Sequence, residues 1–163
     1  MQQENKDLNN EKTFPLPAKI ICWALCALCM AVIFWFSSRT ALESSAQSDI
    51  FLKFFQSIFG DGFITDFMVR KSAHFAEFAG LGFLFALAFY IQFGKTKTPF
   101  AVLCASLYAV TDEIHQIFVD GRACRVQDWA IDTAGALLGA LFIFAAVIIA
   151  ERAKKRRAAQ INN

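Results

Sequence analysis

Charge is missing from two long stretches of this 163-residue chain, residues 20–36 and residues 134–150. A soluble domain is usually about 45 to 50% apolar. This chain is 56% hydrophobic, and its apolar residues are gathered in blocks. The net charge is only +2, and the basic residues lie beside apolar segments without interleaved aromatic residues. The composition therefore indicates an integral membrane protein and gives no indication of nucleic-acid binding.

Several catalytic signatures are also missing. The sequence has no His-Glu-x-x-His motif, no activated-serine motif and no cysteine-rich metal cage. Cys22, Cys26 and Cys29 recur at helical spacing in an apolar segment, where free cysteines behave as small apolar residues. Five cysteines leave an odd one, and Cys124, in a polar loop, is the thiol we expect to be open to oxidation. These absences argue against the common metallohydrolase and serine-hydrolase sites.

Four segments are long and apolar enough to cross a membrane. Each has about 18 to 23 residues, close to the roughly 20 needed for a 30 Å hydrocarbon core, and a backbone in lipid must satisfy itself as a helix. The predicted spans are residues 20–37, 72–93, 99–119 and 128–150. Residues 1–19 are predicted to form a disordered cytoplasmic tail, and residues 151–163 a basic cytoplasmic tail. The predicted fold class is an all-α integral membrane protein with a bundle of four transmembrane helices.

The loop between the first two spans contains a Phe-rich stretch, residues 49–60. Its phenylalanines fall on one side of a helix, and Lys53, Gln56 and Ser57 fall on the other. This pattern is typical of an amphipathic helix that lies in a membrane interface. We interpret it as a lid over a polar pocket on the outer side.

The distribution of lysine and arginine predicts the orientation. With four spans, both tails and the middle loop share one side, which carries Lys6, Lys12, Lys19, Lys95, Lys97, Arg152, Lys154, Lys155, Arg156 and Arg157. The opposite side carries Arg39, Lys53, Arg70, Lys71, Arg122 and Arg125. The positive-inside rule therefore places both termini in the cytoplasm of a multi-pass protein of the cell membrane. The long first loop and the Gly121-Arg122 loop then face outward.

Polar residues gather at the outer ends of three predicted spans. A charge at the bilayer centre costs about 2.5 to 3.5 kcal/mol on insertion scales, so such residues are functional candidates. The candidates are Lys71, His74, Glu77, Asp112, Glu113, His115, Gln116, Arg122, Asp128 and Asp132. Gly135 and Gly139 form a GxxxG pattern on the aspartate-bearing face of the last span, which predicts close packing against another helix. These residues predict an outward-facing polar pocket.

Three blocks of the sequence resemble the signatures of VanZ-like membrane proteins. They are residues 71–78 (KSAHFAEF), residues 112–122 (DEIHQIFVDGR) and residues 128–139, with Asp128, Asp132, Gly135 and Gly139. The order and spacing of the blocks match that family, and the resemblance covers roughly residues 35–144. Arg39 stands where glutamine is expected, and Asp120 stands where proline is common before Gly-Arg. Both departures concern loops.

The resemblance implies a helical membrane fold and a role in the cell envelope. The founding member of the family is associated with low-level resistance to the glycopeptide antibiotic teicoplanin. Most relatives have no assigned activity, so the resemblance implies no particular reaction. It makes membrane lipid, a glycopeptide and a lipid-linked cell-wall precursor the partners to consider.

Three interpretations of the polar residues remain open. The pocket could bind a glycopeptide or a lipid-linked precursor, with Lys71, Arg122 and Arg125 as a positive rim. It could be an enzyme site acting on a lipid-linked phosphate or glycan. No cofactor is assigned, and the candidate ligands for a divalent metal are His74, Glu77, Asp112 and His115. The third interpretation is structural, with Asp112, Glu113, Arg122 and Asp128 forming ion pairs that lock the helices.

Overall fold

The computed structural model describes residues 13–60 and 64–161, and the regular elements within these ranges are five α-helices. They are α1 (Leu16–Ser37), α2 (Ala41–Phe59), α3 (Asp66–Phe93), α4 (Thr98–Gln116) and α5 (Val126–Ile161). The short connections between them begin or end on recognisable signals. Thr40 caps α2 in a capping box with Glu43, and α3 stops at Gly94, whose φ of 66° suits glycine.

Helices α3 and α5 form the centre of the bundle and run in the same direction. Gly135 lies against the carbonyl of Phe75, and Gly139 lies further along against the carbonyl of Ala79. A Cβ atom on either glycine, or on Gly82 of α3, would overlap the backbone of the facing helix. The absence of side chains at these three positions lets the two backbones approach closely.

Helices α1 and α4 pack beside this central pair and run in the opposite direction. The small residues Ala101, Ala105 and Ala109 give α4 a fully buried face. The Tyr108 hydroxyl of α4 donates a 2.6 Å hydrogen bond to the Met30 carbonyl of α1. On its other side, the hydroxyl of Ser106 is hydrogen-bonded at 2.9 Å to that of Thr133 in α5. Helix α4 is therefore held by polar contacts to α1 and to α5.

Three of the five helices are long and apolar enough to cross a membrane, whereas the sequence predicted four spans. The three are Leu16–Ser37, Asp66–Phe93 and Val126–Ile161. Helix α4, which corresponds to the predicted span 99–119, has 19 residues but is not apolar enough to be counted with these three. Its last two turns contain Asp112, Glu113 and His115, which lower its mean hydropathy.

The helix boundaries differ from the predicted ones at both ends of the chain. Helix α1 begins at Leu16, so residues 16–19 of the predicted disordered tail are helical, while residues 1–12 lie outside the described residues. Helix α5 continues through the predicted basic tail to Ile161. At 1.5 Å per residue, its 36 residues extend over about 54 Å, well beyond a hydrocarbon core of roughly 30 Å. The amphipathic stretch predicted at residues 49–60 is the second half of α2.

Candidate functional site

Polar side chains converge at one end of the bundle, which we call the polar end. It consists of the end of α1, the start of α3, the end of α4, the start of α5 and the loop between α4 and α5. Helix α2 joins it at two places. At the start of α3, the Arg70 guanidinium donates a 3.0 Å hydrogen bond to Ser45 Oγ of α2. The other place is the loop between α4 and α5. The Ala41 amide donates a 3.1 Å hydrogen bond to the Asp120 carbonyl, and Gly121 packs against the Ala41 side chain. The α4–α5 loop and the start of α2 are thus fixed to each other.

A buried network ties α4 to α1. Ser37 donates a 2.7 Å hydrogen bond to Asp112 Oδ2, and the Gln116 amide donates to both Ser37 Oγ and Asp112 Oδ2 at 3.1 Å. All three side chains are almost completely buried. Asp112 and Gln116, both candidates from the sequence, therefore share a partner that the pattern of residues did not predict, the last residue of α1.

His115 lies apart from the other candidates, against α1. Its Nε2 is hydrogen-bonded at 3.1 Å to Ser38 Oγ, and its ring lies 4.4 Å from that of Phe34, measured between centroids. The candidate metal set His74, Glu77, Asp112 and His115 is not assembled as a ligand group. Across residues 13–60 and 64–161, no three histidine, cysteine, aspartate or glutamate side chains are placed to share a metal ion.

Two further carboxylates have well-defined partners at the start of α5. Asp128 Oδ1 lies 2.5 Å from Lys71 Nζ, which joins α5 to α3. Glu113 accepts a 2.7 Å hydrogen bond from the Arg125 backbone amide, which fixes the end of the α4–α5 loop. The ion pairs suggested by the structural interpretation, among Asp112, Glu113, Arg122 and Asp128, are not formed between those four residues.

His74 and Asp132 face each other in the interior without a hydrogen bond. Asp132 is fully buried, and its Oδ1 lies 3.9 Å from His74 Nδ1. Neither carboxylate oxygen of Asp132 has a hydrogen-bond partner among the described residues, and nor does His74 Nδ1. Buried polar atoms are normally paired, so an unpaired cluster of this kind calls for an explanation.

A cavity of about 140 Å³ opens above this pair, lined by cationic side chains. We call it the cationic cavity, and its charged wall consists of Arg70, Lys71, His74, Arg122, Arg125 and Asp128. A second cavity of about 260 Å³, the middle cavity, lies beside it between α2 and α3. Its wall includes Ser48, Phe51, Arg70, His74, Glu77 and Arg122. Arg70, His74 and Arg122 line both cavities, so the two are neighbours.

Arg122 is one of the three residues that line both cavities. Its Nε donates a 3.2 Å hydrogen bond to the Arg39 carbonyl, which anchors the guanidinium. Its two terminal nitrogens form no hydrogen bond or ion pair with the described residues. Burial lowers the pKa of Arg122, and the nearby positive charge of Arg70 lowers it further, while the carboxyl groups of Asp112, Glu77 and Glu113 act in the opposite direction. An arginine remains protonated despite such a shift, so two positive charges face the same space.

Sequence reasoning missed Ser37 and Arg70. Ser37 gave no signal, because its partner Asp112 is 75 residues away in the chain. Arg70 did give one, since Arg70, His74 and Glu77 follow the i, i+4, i+7 pattern of one helix face. Lys71, which the sequence grouped with His74 and Glu77, turns towards Asp128. Arg70 instead forms a 3.0 Å ion pair with Asp66 and shares the middle cavity with Glu77.

Long apolar helices with polar side chains collected at one end define a helical membrane protein. A model of the VanZ/LLP1 family matches residues 22–149, which include α2, α3 and α4 completely and most of α1 and α5. The chain belongs to the VanZ/LLP1 family. The comparison with curated proteins and the comparison with solved structures each found no match.

Proposed function

We propose that this protein crosses the cell membrane four times, with both termini in the cytoplasm. On the outer side, its polar end binds the phosphate head group of a lipid-linked cell-wall precursor. The observation that carries the binding proposal is that Arg70 and Arg122 line the same two cavities, while the terminal nitrogens of Arg122 form no hydrogen bond or ion pair with the described residues.

The fourth span follows from the direction of the helices. Helices α3 and α5 are both long enough to cross, and they run parallel. A chain that crosses twice in the same direction must return in between, and α4 is the helix that connects them. Its 19 residues extend about 28 Å, close to the thickness of a hydrocarbon core. The buried placement of Asp112 and Glu113 keeps their carboxyl groups away from lipid.

The orientation rests on charge. Ten of the sixteen lysines and arginines belong to the predicted tails and to the α3–α4 connection. The eight of them that the structure describes lie at the opposite end from the cavities. The positive-inside rule puts that end in the cytoplasm, so the polar end faces outward. This is the side on which an envelope ligand would be met.

Phosphate is the ligand chemistry that fits the cationic cavity best. A guanidinium presents paired N–H donors in a fork that matches phosphate oxygens, and Arg122 has its terminal nitrogens free towards the described residues. An anion between Arg122 and Arg70 would also offset the repulsion between these two half-buried like charges, which the Asp66 carboxylate already reduces at Arg70. The cavity volume of about 140 Å³ accepts a small anionic group.

A glycopeptide antibiotic fits less well. Pockets for drug-sized ligands are roughly 300 to 1,000 Å³, and the cationic cavity, which would hold the polar part of the ligand, is smaller than that. Glycopeptides are larger than most drugs. We therefore favour the lipid-linked precursor over the antibiotic, and we expect any resistance phenotype to act through the precursor.

His74 and Asp132 favour a second candidate function, hydrolysis of the same phosphate. Asp132 Oδ1 lies 3.9 Å from His74 Nδ1, and closing this distance to a hydrogen bond would let the buried carboxyl orient the imidazole as a general base. Water would add to phosphorus as His74 takes its proton, the bond from phosphorus to the lipid oxygen would break, and that oxygen would receive a proton. Release of inorganic phosphate from farnesyl phosphate by the wild type, lost in His74→Gln, would establish this activity.

The structural interpretation accounts for only part of the polar end. Lys71 with Asp128, and Ser37 with Asp112, are contacts that join helices. The terminal nitrogens of Arg122 and the carboxylate oxygens of Asp132 form no hydrogen bond that would join helices among the described residues. A purely structural role would have favoured apolar residues at these positions.

The binding proposal is tested by ligand-induced thermal stabilisation of the detergent-purified protein. Farnesyl phosphate should raise the unfolding temperature, because a ligand that binds only the folded state stabilises it. Farnesol and teicoplanin should not. Arg122→Gln should weaken farnesyl phosphate binding about 10- to 100-fold, the loss expected for a charge-assisted hydrogen bond.

Arg39→Gln is the matched control. The Arg39 side chain stacks over Trp35 outside both cavities, while its backbone carbonyl, which holds Arg122, is unchanged by the substitution. Arg39→Gln should bind as the wild type does. Equal binding by Arg122→Gln and the wild type, or stabilisation by teicoplanin alone, would contradict the proposal.

A further inference from the structure

We propose that the hydrocarbon chain of the bound amphiphile lies in an apolar groove between α2 and α3, which leads away from the middle cavity. This inference rests on the proposed phosphate site and specifies the class of its ligand, a phosphate attached to a single long hydrocarbon chain. The groove has a volume of about 420 Å³ and is lined by Phe51, Ile64, Met68, Val69, Ser72 and Ala73.

The groove is continuous with the phosphate site. Phe51, Val69 and Ala73 line both the apolar groove and the middle cavity. Arg70 and Arg122 line both the middle cavity and the cationic cavity. The three spaces therefore follow one another around the first turns of α3. The facing wall is α2 at the groove and the middle cavity, and the α4–α5 loop at the cationic cavity. A ligand can occupy all three without crossing a helix.

Polarity changes steadily along this path. The cationic cavity has four cationic side chains in its wall, and the middle cavity mixes Arg70 and Glu77 with Phe51 and Val69. Among the described residues, the wall of the groove contains none that is charged. An inorganic anion would use only the first space. A molecule with an anionic head and an apolar tail matches the whole path, because each part meets surface of its own kind.

The groove has an open continuation along α3. Ala73, Ala76 and Gly80 are exposed and lie at i, i+3 and i+7, so they follow one face of the helix towards the middle of the bilayer. A Cβ atom built on Gly80 would meet no other atom within 4 Å. At Gly82, two residues further on, the α5 backbone occupies the position that a Cβ atom would take. A chain leaving the groove thus has a path lined by small side chains.

Two alkyl phosphates test this placement, methyl phosphate and octyl phosphate, with affinities measured in dodecyl maltoside at a fixed detergent concentration. Detergent partitioning of octyl phosphate is the same for every variant, so it cancels when variants are compared. Ala73→Trp fills the junction of the groove and the middle cavity, and Gly80→Phe fills the continuation. Ala145→Trp, at an exposed position of α5, is the control for a new tryptophan.

We expect Ala73→Trp to weaken octyl phosphate binding about tenfold, equivalent to roughly two methylene groups losing their contacts. Methyl phosphate affinity should be unchanged, because Ala73 does not line the cationic cavity. Gly80→Phe should have a smaller effect in the same direction, and Ala145→Trp none. Equal octyl phosphate affinity in Ala73→Trp and the wild type would show that the hydrocarbon chain does not lie in the groove.

The same experiment separates the groove from the phosphate site. If Arg122→Gln weakens both phosphates and Ala73→Trp weakens neither, the phosphate site stands and the groove is wrong. If Ala73→Trp weakens octyl phosphate and Arg122→Gln does not, the groove stands and the head-group assignment is wrong. Failure of the wild type to bind either phosphate would overturn both.

Discussion

Ser37→Ala tests whether the contact between α1 and α4 stabilises the fold. Ser37 is 2% exposed, and its hydroxyl both donates to Asp112 at 2.7 Å and accepts from Gln116 at 3.1 Å. Alanine removes both bonds and leaves a methyl group facing a carboxyl group. Asp112 keeps one partner, because the Gln116 amide also donates to Asp112 Oδ2.

The magnitude follows from these contacts. A hydrogen bond to a charged group contributes about 1.5 to 3 kcal/mol in soluble proteins. Hydrogen bonds between membrane helices average about 0.6 kcal/mol, with a maximum near 1.7. The Ser37 site is fully buried and makes two bonds, so we expect Ser37→Ala to lower the free energy of unfolding by about 1 to 2 kcal/mol. Asp112→Asn should couple to it by about 1 kcal/mol in a double-mutant cycle.

Equilibrium unfolding in mixed micelles of dodecyl maltoside and sodium dodecyl sulfate, followed by tryptophan fluorescence, measures these changes. Ser57→Ala is the matched control, because the Ser57 hydroxyl is exposed and bonds only within its own helix, to the Phe54 carbonyl. It should change the free energy of unfolding by less than about 0.5 kcal/mol. A loss in Ser37→Ala no larger than in Ser57→Ala, with purely additive effects of Ser37→Ala and Asp112→Asn, would refute the reasoning.

Two further predictions concern the contacts between α3 and α5. Gly82→Leu should prevent normal packing, because its side chain would overlap the Ala136 backbone. Gly80→Leu should be neutral or stabilising by up to about 1 kcal/mol, because leucine has the higher helix propensity. Size-exclusion profiles and unfolding midpoints measure the difference, and equal behaviour of the two variants would contradict the prediction. Lys71→Met should destabilise the fold by about 1 to 3 kcal/mol, since it leaves the largely buried Asp128 without its counter-charge, and adding Asp128→Asn should recover part of the loss. Additive losses in that unfolding cycle would show that the ion pair contributes nothing.

The arrangement of the polar end was only partly predictable. The three blocks around His74, Asp112 and Asp132 could be identified, and helical spacing placed them at one end of a bundle. The partners could not be identified. Asp112 bonds to Ser37 rather than to a charged residue, and His115 turns to α1 instead of joining His74. Such choices depend on the rotation of each helix about its axis, which packing at Gly82, Gly135 and Gly139 decides.

The sequence by itself determined the membrane character, the all-helical fold and the VanZ-like family, because each depends on composition, on apolar length or on residues at fixed spacing. It also determined which segments carry the polar residues. Only the tertiary structure decided that α3 and α5 run side by side in the same direction, that Arg70 and Arg122 share two cavities, and that an apolar groove follows. Cavities and unpaired atoms arise where side chains from different helices leave a gap between them. The position of such a gap depends on how the helices pack, which the order of residues along the chain does not show.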